Sequence, residues 1–97
     1  METNSDLLPE FEFEFDERKS RLNKLKHGID FAEVQALWQD ERAVRTPARS
    51  EVEPRFLVVG RIDRKHWSAF ATYRGGAVRL ISARRSREEE VAIYEGQ

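Results

Sequence analysis

RFLVVGRIDRKHWSAFATYRGGAVRLISARR, residues 55–85, is the stretch that decides the fold. Three runs in it, Arg55 to Ile62, Trp67 to Tyr73 and Val78 to Arg84, are apolar, aromatic or β-branched. Polar breaks part them, Asp63-Arg64-Lys65-His66 and Arg74-Gly75-Gly76-Ala77, and the Gly-Gly pair is a strong hairpin cue. Strands joined by turns this short must run antiparallel, so the stretch reads as a β-meander.

Upstream of the meander the periods change. Phe11-Glu12-Phe13-Glu14-Phe15 alternates strictly, which puts three rings on one face of a half-buried strand and two carboxylates on the other. Asp16 can cap a helix from Glu17 to about Lys26, in which Leu22 and Leu25 are expected to face inward and which Gly28 closes in the left-handed conformation. A second helix is expected from Asp30 to about Asp40. Asp30 and Glu33 form a variant capping box, Ile29 and Val34 stand at the staple positions, and Phe31, Val34, Leu37 and Trp38 make its apolar stripe. Arg42 to Thr46 fits a short strand, and Pro47 to Pro54 a polar loop.

Downstream, Ser86 and Glu89 have capping-box spacing before a last helix carrying Val91, Ala92 and Tyr94. The order strand, helix, helix, strands, helix gives an α+β fold: an antiparallel meander with an N-terminal strand, a helical hairpin and a short C-terminal helix. Met1 to Glu10 is polar, aperiodic and acidic, and is expected to be a mobile lead-in to a single domain over residues 11–97.

The chain's 97 residues allow one modest core. Zero cysteines exclude disulfides, Cys-ligated metals and thiol nucleophiles. The two histidines stand at no metal-ligand spacing, and Gly75-Gly76 lacks the Lys and Ser/Thr of a phosphate-cradling loop, so no cofactor or metal is expected. No apolar run approaches the roughly 20 residues a bilayer crossing needs, and the opening Met-Glu-Thr-Asn-Ser-Asp has no secretory character. A cytoplasmic protein is expected.

The formal net charge of −1 hides a separation. Met1 to Glu17 holds seven acids and no Lys or Arg, whereas Arg55 to Arg87 holds nine bases against Asp63 alone. Arg18, Lys19, Arg21, Lys24 and Lys26 add a second basic stretch. Clustered cations displace the counterions of a polyanion, so nucleic-acid binding stands beside the plainer reading of a solvated surface.

Taken together, Phe13-Glu14-Phe15-Asp16, the Asn23 to Gly28 corner with its Lys26-His27-Gly28, Gly60-Arg61, and the Arg79 to Arg84 strand with Ile81-Ser82-Ala83, followed by Glu90 and Tyr94, resemble the BrnT family over about Phe13 to Tyr94. The chain departs from that pattern at Ala71, where many members carry a tyrosine and where Tyr73 stands two residues on, and at Asp63-Arg64, where a glycine turn is common. The resemblance implies a RelE-like fold and a bacterial type II toxin that cleaves RNA. It also implies a BrnA-like antitoxin with a ribbon-helix-helix module, so that operator DNA is met only through that antitoxin.

Metal-free RNA cleavage needs a base for the 2′-hydroxyl, cations for the phosphorane and an acid for the leaving oxygen. Arg84 and Arg85 are the foremost phosphate candidates, because guanidinium forks match phosphate oxygens. Adjacent strand residues face opposite ways, so both reach one phosphate only if the strand ends between them, as the capping box at Ser86 suggests it does. Alternation puts Arg79 on the face opposite Arg84, as a second cation or as an ion-pair partner. His27 is a candidate acid or base, or else a cap on its helix. Lys26 is a phosphate contact or a solvated cation, and the resemblance favours the contact. Glu90 is the best-placed carboxylate for a base, with a capping turn as its plainer role. Arg61, Lys65, Tyr73, Arg74 and Tyr94 complete the candidate RNA-binding set, although aromatics at such spacings are more often core. Trp38 and Trp67 suit core or a partner interface, and His66 an exposed turn. The enzyme reading requires Lys26 or His27 to approach Arg84. A non-catalytic RNA-binding module and a domain with an Arg-rich face for an acidic partner are the rivals.

Overall fold

The computed structural model of the chain describes residues 12–49 and 53–96. The elements are β1 (Phe13–Glu14), α1 (Glu17–His27), a 3₁₀ helix (Glu33–Gln39), β2 (Val44–Ala48), β3 (Arg55–Ile62), β4 (Lys65–Arg74), β5 (Ala77–Arg85) and α2 (Glu88–Glu95). One five-stranded sheet runs in the order β1-β5-β4-β3-β2.

The β3–β4–β5 meander is antiparallel, as its short turns demand, and β2 continues it. The turns are tighter than expected, with Ile62 facing Lys65 across Asp63-Arg64 and Arg74 facing Ala77 across Gly75-Gly76. Gly75 and Gly76 take φ of 57° and 85°, and Asp63 supplies a positive φ of 59° where the family pattern has glycine. The sheet as a whole is mixed, because β1 pairs parallel with β5. Turn length constrains only neighbours in the chain, and three strands and two helices separate β1 from β5.

Two faces of the sheet follow from the register. On the core face lie Phe56, Val58, Trp67, Ala69, Ala71, Val78, Leu80 and Ala83, covered by Ile29, Phe31, Val34 and Leu37. The alternation of the N-terminal strand holds where it is described. Phe13 packs on Trp38 with ring centroids 5.1 Å apart, Phe15 on Phe31 at 5.7 Å, and Glu14 turns away. The strand is shorter than expected; Phe11 and the proposed lead-in of residues 1–10 lie outside the described residues.

Asp16 caps α1, accepting from the Lys19 amide at 3.0 Å, and Gly28 ends it at φ 86°. The inward face is not the expected one. Leu22 is 54% and Leu25 83% exposed, while Ser20 and Asn23 are buried. The reason lies in β5, whose outer edge is unpaired beyond β1. Asn23 Nδ2 donates to the Ala83 carbonyl at 2.9 Å and the Ile29 carbonyl at 2.8 Å, and the Ala83 amide donates back to Oδ1 at 3.2 Å. Ser20 Oγ accepts from the Phe31 amide at 2.8 Å. Satisfying buried backbone groups outweighs burying two leucines.

The second helix starts with the expected reciprocal box, Glu33 amide to Asp30 Oδ1 at 2.7 Å and Asp30 amide to Glu33 Oε1 at 3.0 Å. It is a 3₁₀ helix rather than an α-helix. Phe31, Val34 and Leu37 are spaced by three, the 3₁₀ period, and all three are buried. β2 runs later than expected, Val44–Ala48, and so contains Pro47, which an edge strand tolerates. Gly60 admits the end of the 3₁₀ helix: a Cβ there would stand 3.1 Å from both Leu37 and Asp40 Oδ2.

The final capping box is one residue later than Ser86 and Glu89 predict. Glu90 accepts from the Arg87 amide at 2.9 Å, and Ser86 Oγ instead bonds Ser68 Oγ at 2.8 Å. α2 lies on the second face, where Tyr94 packs on Leu57 and Val59. No helix among the described residues is long and apolar enough to cross a membrane.

Candidate active site

The pairing of β4 with β5 slips between Phe70 and Ala71: Phe70 faces Ser82, but Ala71 faces Leu80. Ile81 is therefore an extra residue, a β-bulge, and it resets the alternation of β5. Leu80 and Ala83 both reach the core, and Arg79, Ser82 and Arg84 all project to the opposite face with Ser68, Phe70 and Thr72. The expectation that Arg79 opposes Arg84 is thereby overturned. By the same alternation Arg55 of β3 and Arg74 of β4 join them, making an arginine face.

Each cation there is oriented by a carboxylate. Arg79 donates to Glu14 Oε1 at 3.0 Å, with Arg74 3.9 Å from the same oxygen, and Arg55 lies 3.5 Å from Glu53. The Arg55 Nε–H is buried with no hydrogen-bond partner among the described residues. Arg84 holds Glu90 in a two-pronged pair, both contacts 2.8 Å, over the Phe70 ring at 5.3 Å.

Glu90 receives further hydrogen bonds from the Arg87 amide and from Ser68 Oγ at 2.8 Å. The Arg84 guanidinium, aided by these donors, outweighs burial and holds its carboxyl at about 2, while the pair raises Arg84. A carboxylate so stabilised is a poor proton acceptor. Its position suits holding Arg84, not the base role expected of it.

Arg85 points the other way. Its guanidinium lies 5.5 Å from the Trp67 ring centroid on the core face, and its Nε donates to the His66 carbonyl at 3.3 Å. Trp67 in turn lines a hollow of about 620 Å³ with Gly28, Ile29, Arg64 and Lys65. β5 continues through Arg85 instead of ending between the two arginines, so strand alternation divides Arg84 and Arg85 between the two faces.

Asn23 draws the helical corner to β5 at Ala83, and Lys26 and His27 follow it by three and four residues on the same side of α1. They share a hollow of about 260 Å³ with Leu22, Ile81 and Ser82. Because β5 has no strand neighbour there, the hollow turns its edge, and Ser82 belongs to the arginine face. The His27 ring has no hydrogen-bond partner among the described residues. The helix end is closed by the Gly28 amide on the Lys24 carbonyl at 2.9 Å instead.

The remaining candidates scatter. Tyr73 lies on the core face, ring against Phe56 at 4.9 Å and hydroxyl bonded by Arg45. Tyr94 is buried, donating to Asp40 Oδ2 at 2.8 Å with the His66 ring edge-on at 5.2 Å, and has no ring face free for a base. Burial and the Asp40 carboxylate both push its hydroxyl up. Arg61 is exposed near Tyr94, and Lys65 lies across the sheet from it. His66 is a half-buried strand residue, its Nε2 2.7 Å from Glu95, not an exposed turn.

The ribonuclease toxin family described as BrnT, of type II toxin–antitoxin systems, matches residues 15–90. The chain belongs to the BrnT family. No curated protein matches the sequence. Membership in a type II system implies an antitoxin partner and an RNA substrate for this BrnT chain. Glu14, Asn23, Arg55, Ser68 and Ser82 are residues of the site to which the sequence reading gave no site role. A polar residue at an otherwise core-facing helix position was the available signal for Asn23; Ser68 and Arg55 carried none.

Proposed function

We propose that the chain is a cytoplasmic, metal-independent endoribonuclease. Arg79 and Arg84 hold the scissile phosphate on the arginine face, and Lys26 and His27 serve it around the edge of β5. The observation that carries this reading is the Ile81 bulge, which aligns Arg79, Ser82 and Arg84, together with the hollow joining Ser82 to the helical corner. Guanidinium forks stabilise the dianionic phosphorane, Glu90 and Glu14 hold those forks in place, and His27 acts as acid or base. Residues 11–97 act as one RelE-like toxin domain. The antitoxin is BrnA-like, with a ribbon-helix-helix module that alone contacts operator DNA.

The test is to incubate the purified full chain with RNA in EDTA, with and without the antitoxin. Cleavage is expected in EDTA and is expected to stop when the antitoxin is added. RNA bound in a salt-dependent way but left intact would instead make this a binding module.

A further inference from the structure

α1 is an inverted amphipath. Its buried positions are Ser20 and Asn23, and its leucines face water. Arg18, Leu22 and Leu25 stand at i, i+4 and i+7, one line along the helix, with Arg21 a turn before Leu25. Leu25 walls a hollow of about 440 Å³ with Phe15, Ala32 and Arg21, and Leu22 walls the corner hollow with Lys26. The leucine ridge thus separates two hollows: the corner one sets Lys19, Lys26 and His27 around Leu22, and the other sets Arg21 and Lys24 beside Glu17 and Asp30.

The helix carries five bases against Glu17, and among the described residues only Lys24 of these is paired, with Glu33 at 2.8 Å. We infer that this face is where the antitoxin docks, through an acidic amphipathic helix whose apolar side chains enter the two hollows and whose carboxylates meet Arg18, Arg21 and Lys26. The proposal rests on the toxin–antitoxin reading above and adds where neutralisation happens.

Charge complementarity selects the occupant. A second copy would set this basic helix against its own like charge. RNA would use the cations but leave two leucines wet, whereas an amphipathic helix uses both. Docked there, the partner covers Lys26 and His27.

The test uses the full chain with Leu25→Asp or Arg21→Glu, both at exposed positions outside the proposed catalytic groups. Antitoxin affinity is measured by calorimetry, and RNA cleavage separately. Leu25→Asp is expected to weaken antitoxin binding about a hundredfold and Arg21→Glu about tenfold, with cleavage by either within about twofold of wild type. Unchanged antitoxin affinity overturns the proposal. So does an equal loss of RNA affinity, which would mark an RNA surface, or a wild-type dimer that Leu25→Asp disperses, which would mark self-association. Binding is read apart from cleavage, so a chain that fails to cleave RNA refutes the ribonuclease reading without touching this result.

Discussion

The two faces of one sheet are built on opposite principles. Among the described residues, twelve buried ones form the apolar cluster on the core face, whereas the apolar cluster on the other face has three, Leu57, Val59 and Tyr94. That second face is organised by charge pairs, Arg84 with Glu90 and Arg79 with Glu14, and by the Tyr94–Asp40 hydrogen bond. Placing cohesion on one side leaves cations on the other oriented but not sealed in. The fold can therefore tolerate changes to the arginine face that it cannot tolerate beneath the 3₁₀ helix.

Substitutions graded across the two faces sharpen that contrast. Phe31→Ala empties a fully buried site on the core face and is expected to cost about 3–5 kcal/mol in chemical denaturation, the largest stability loss of the set. A loss under about 1 kcal/mol would contradict the assignment of cohesion to that face.

Glu90→Gln comes next, at about 3 kcal/mol. The side chain is only 9% exposed and its carboxyl titrates at about 2 when folded against 4.5 as a free group. A depressed carboxylate contributes stability above its unfolded value. Wild-type stability should therefore fall as pH drops from about 4.5 to about 2, and Glu90→Gln should flatten that fall. Identical pH profiles for the two proteins would show that the pair does not couple to folding. Tyr94→Phe removes one hydrogen bond to Asp40 and is expected to cost about 1 kcal/mol, with RNA cleavage unchanged, since the ring has no face for a base.

Features fixed by neighbours in the chain were legible: the Asp16 cap, the Gly28 stop, the Asp30–Glu33 box, the bounds of β3 and the Phe13/Glu14/Phe15 alternation. What escaped depends on partners remote in sequence. Leu22 and Leu25 have helical spacing for a core, but the unpaired edge of β5 claims Asn23 and Ser20 and rolls α1 over. The box at Ser86 slips to Arg87 because Arg84 and Ser68 bind Glu90 from the sheet. Nothing in Arg79 to Arg84 signals the bulge, since Ile81 is an ordinary strand residue. Strict alternation therefore assigned Arg79 to the wrong face.

The sharpest test of the arginine face compares neighbours that the strand turns apart. Single-turnover RNA cleavage by Arg84→Gln and Arg85→Gln is measured with each protein's folded fraction checked by circular dichroism. The account predicts at least a hundredfold loss for Arg84→Gln, about 3 kcal/mol of transition-state stabilisation, and a change within about threefold for Arg85→Gln. Near wild-type cleavage by folded Arg84→Gln, with the loss falling on Arg85→Gln, would place the chemistry on the core face and contradict it.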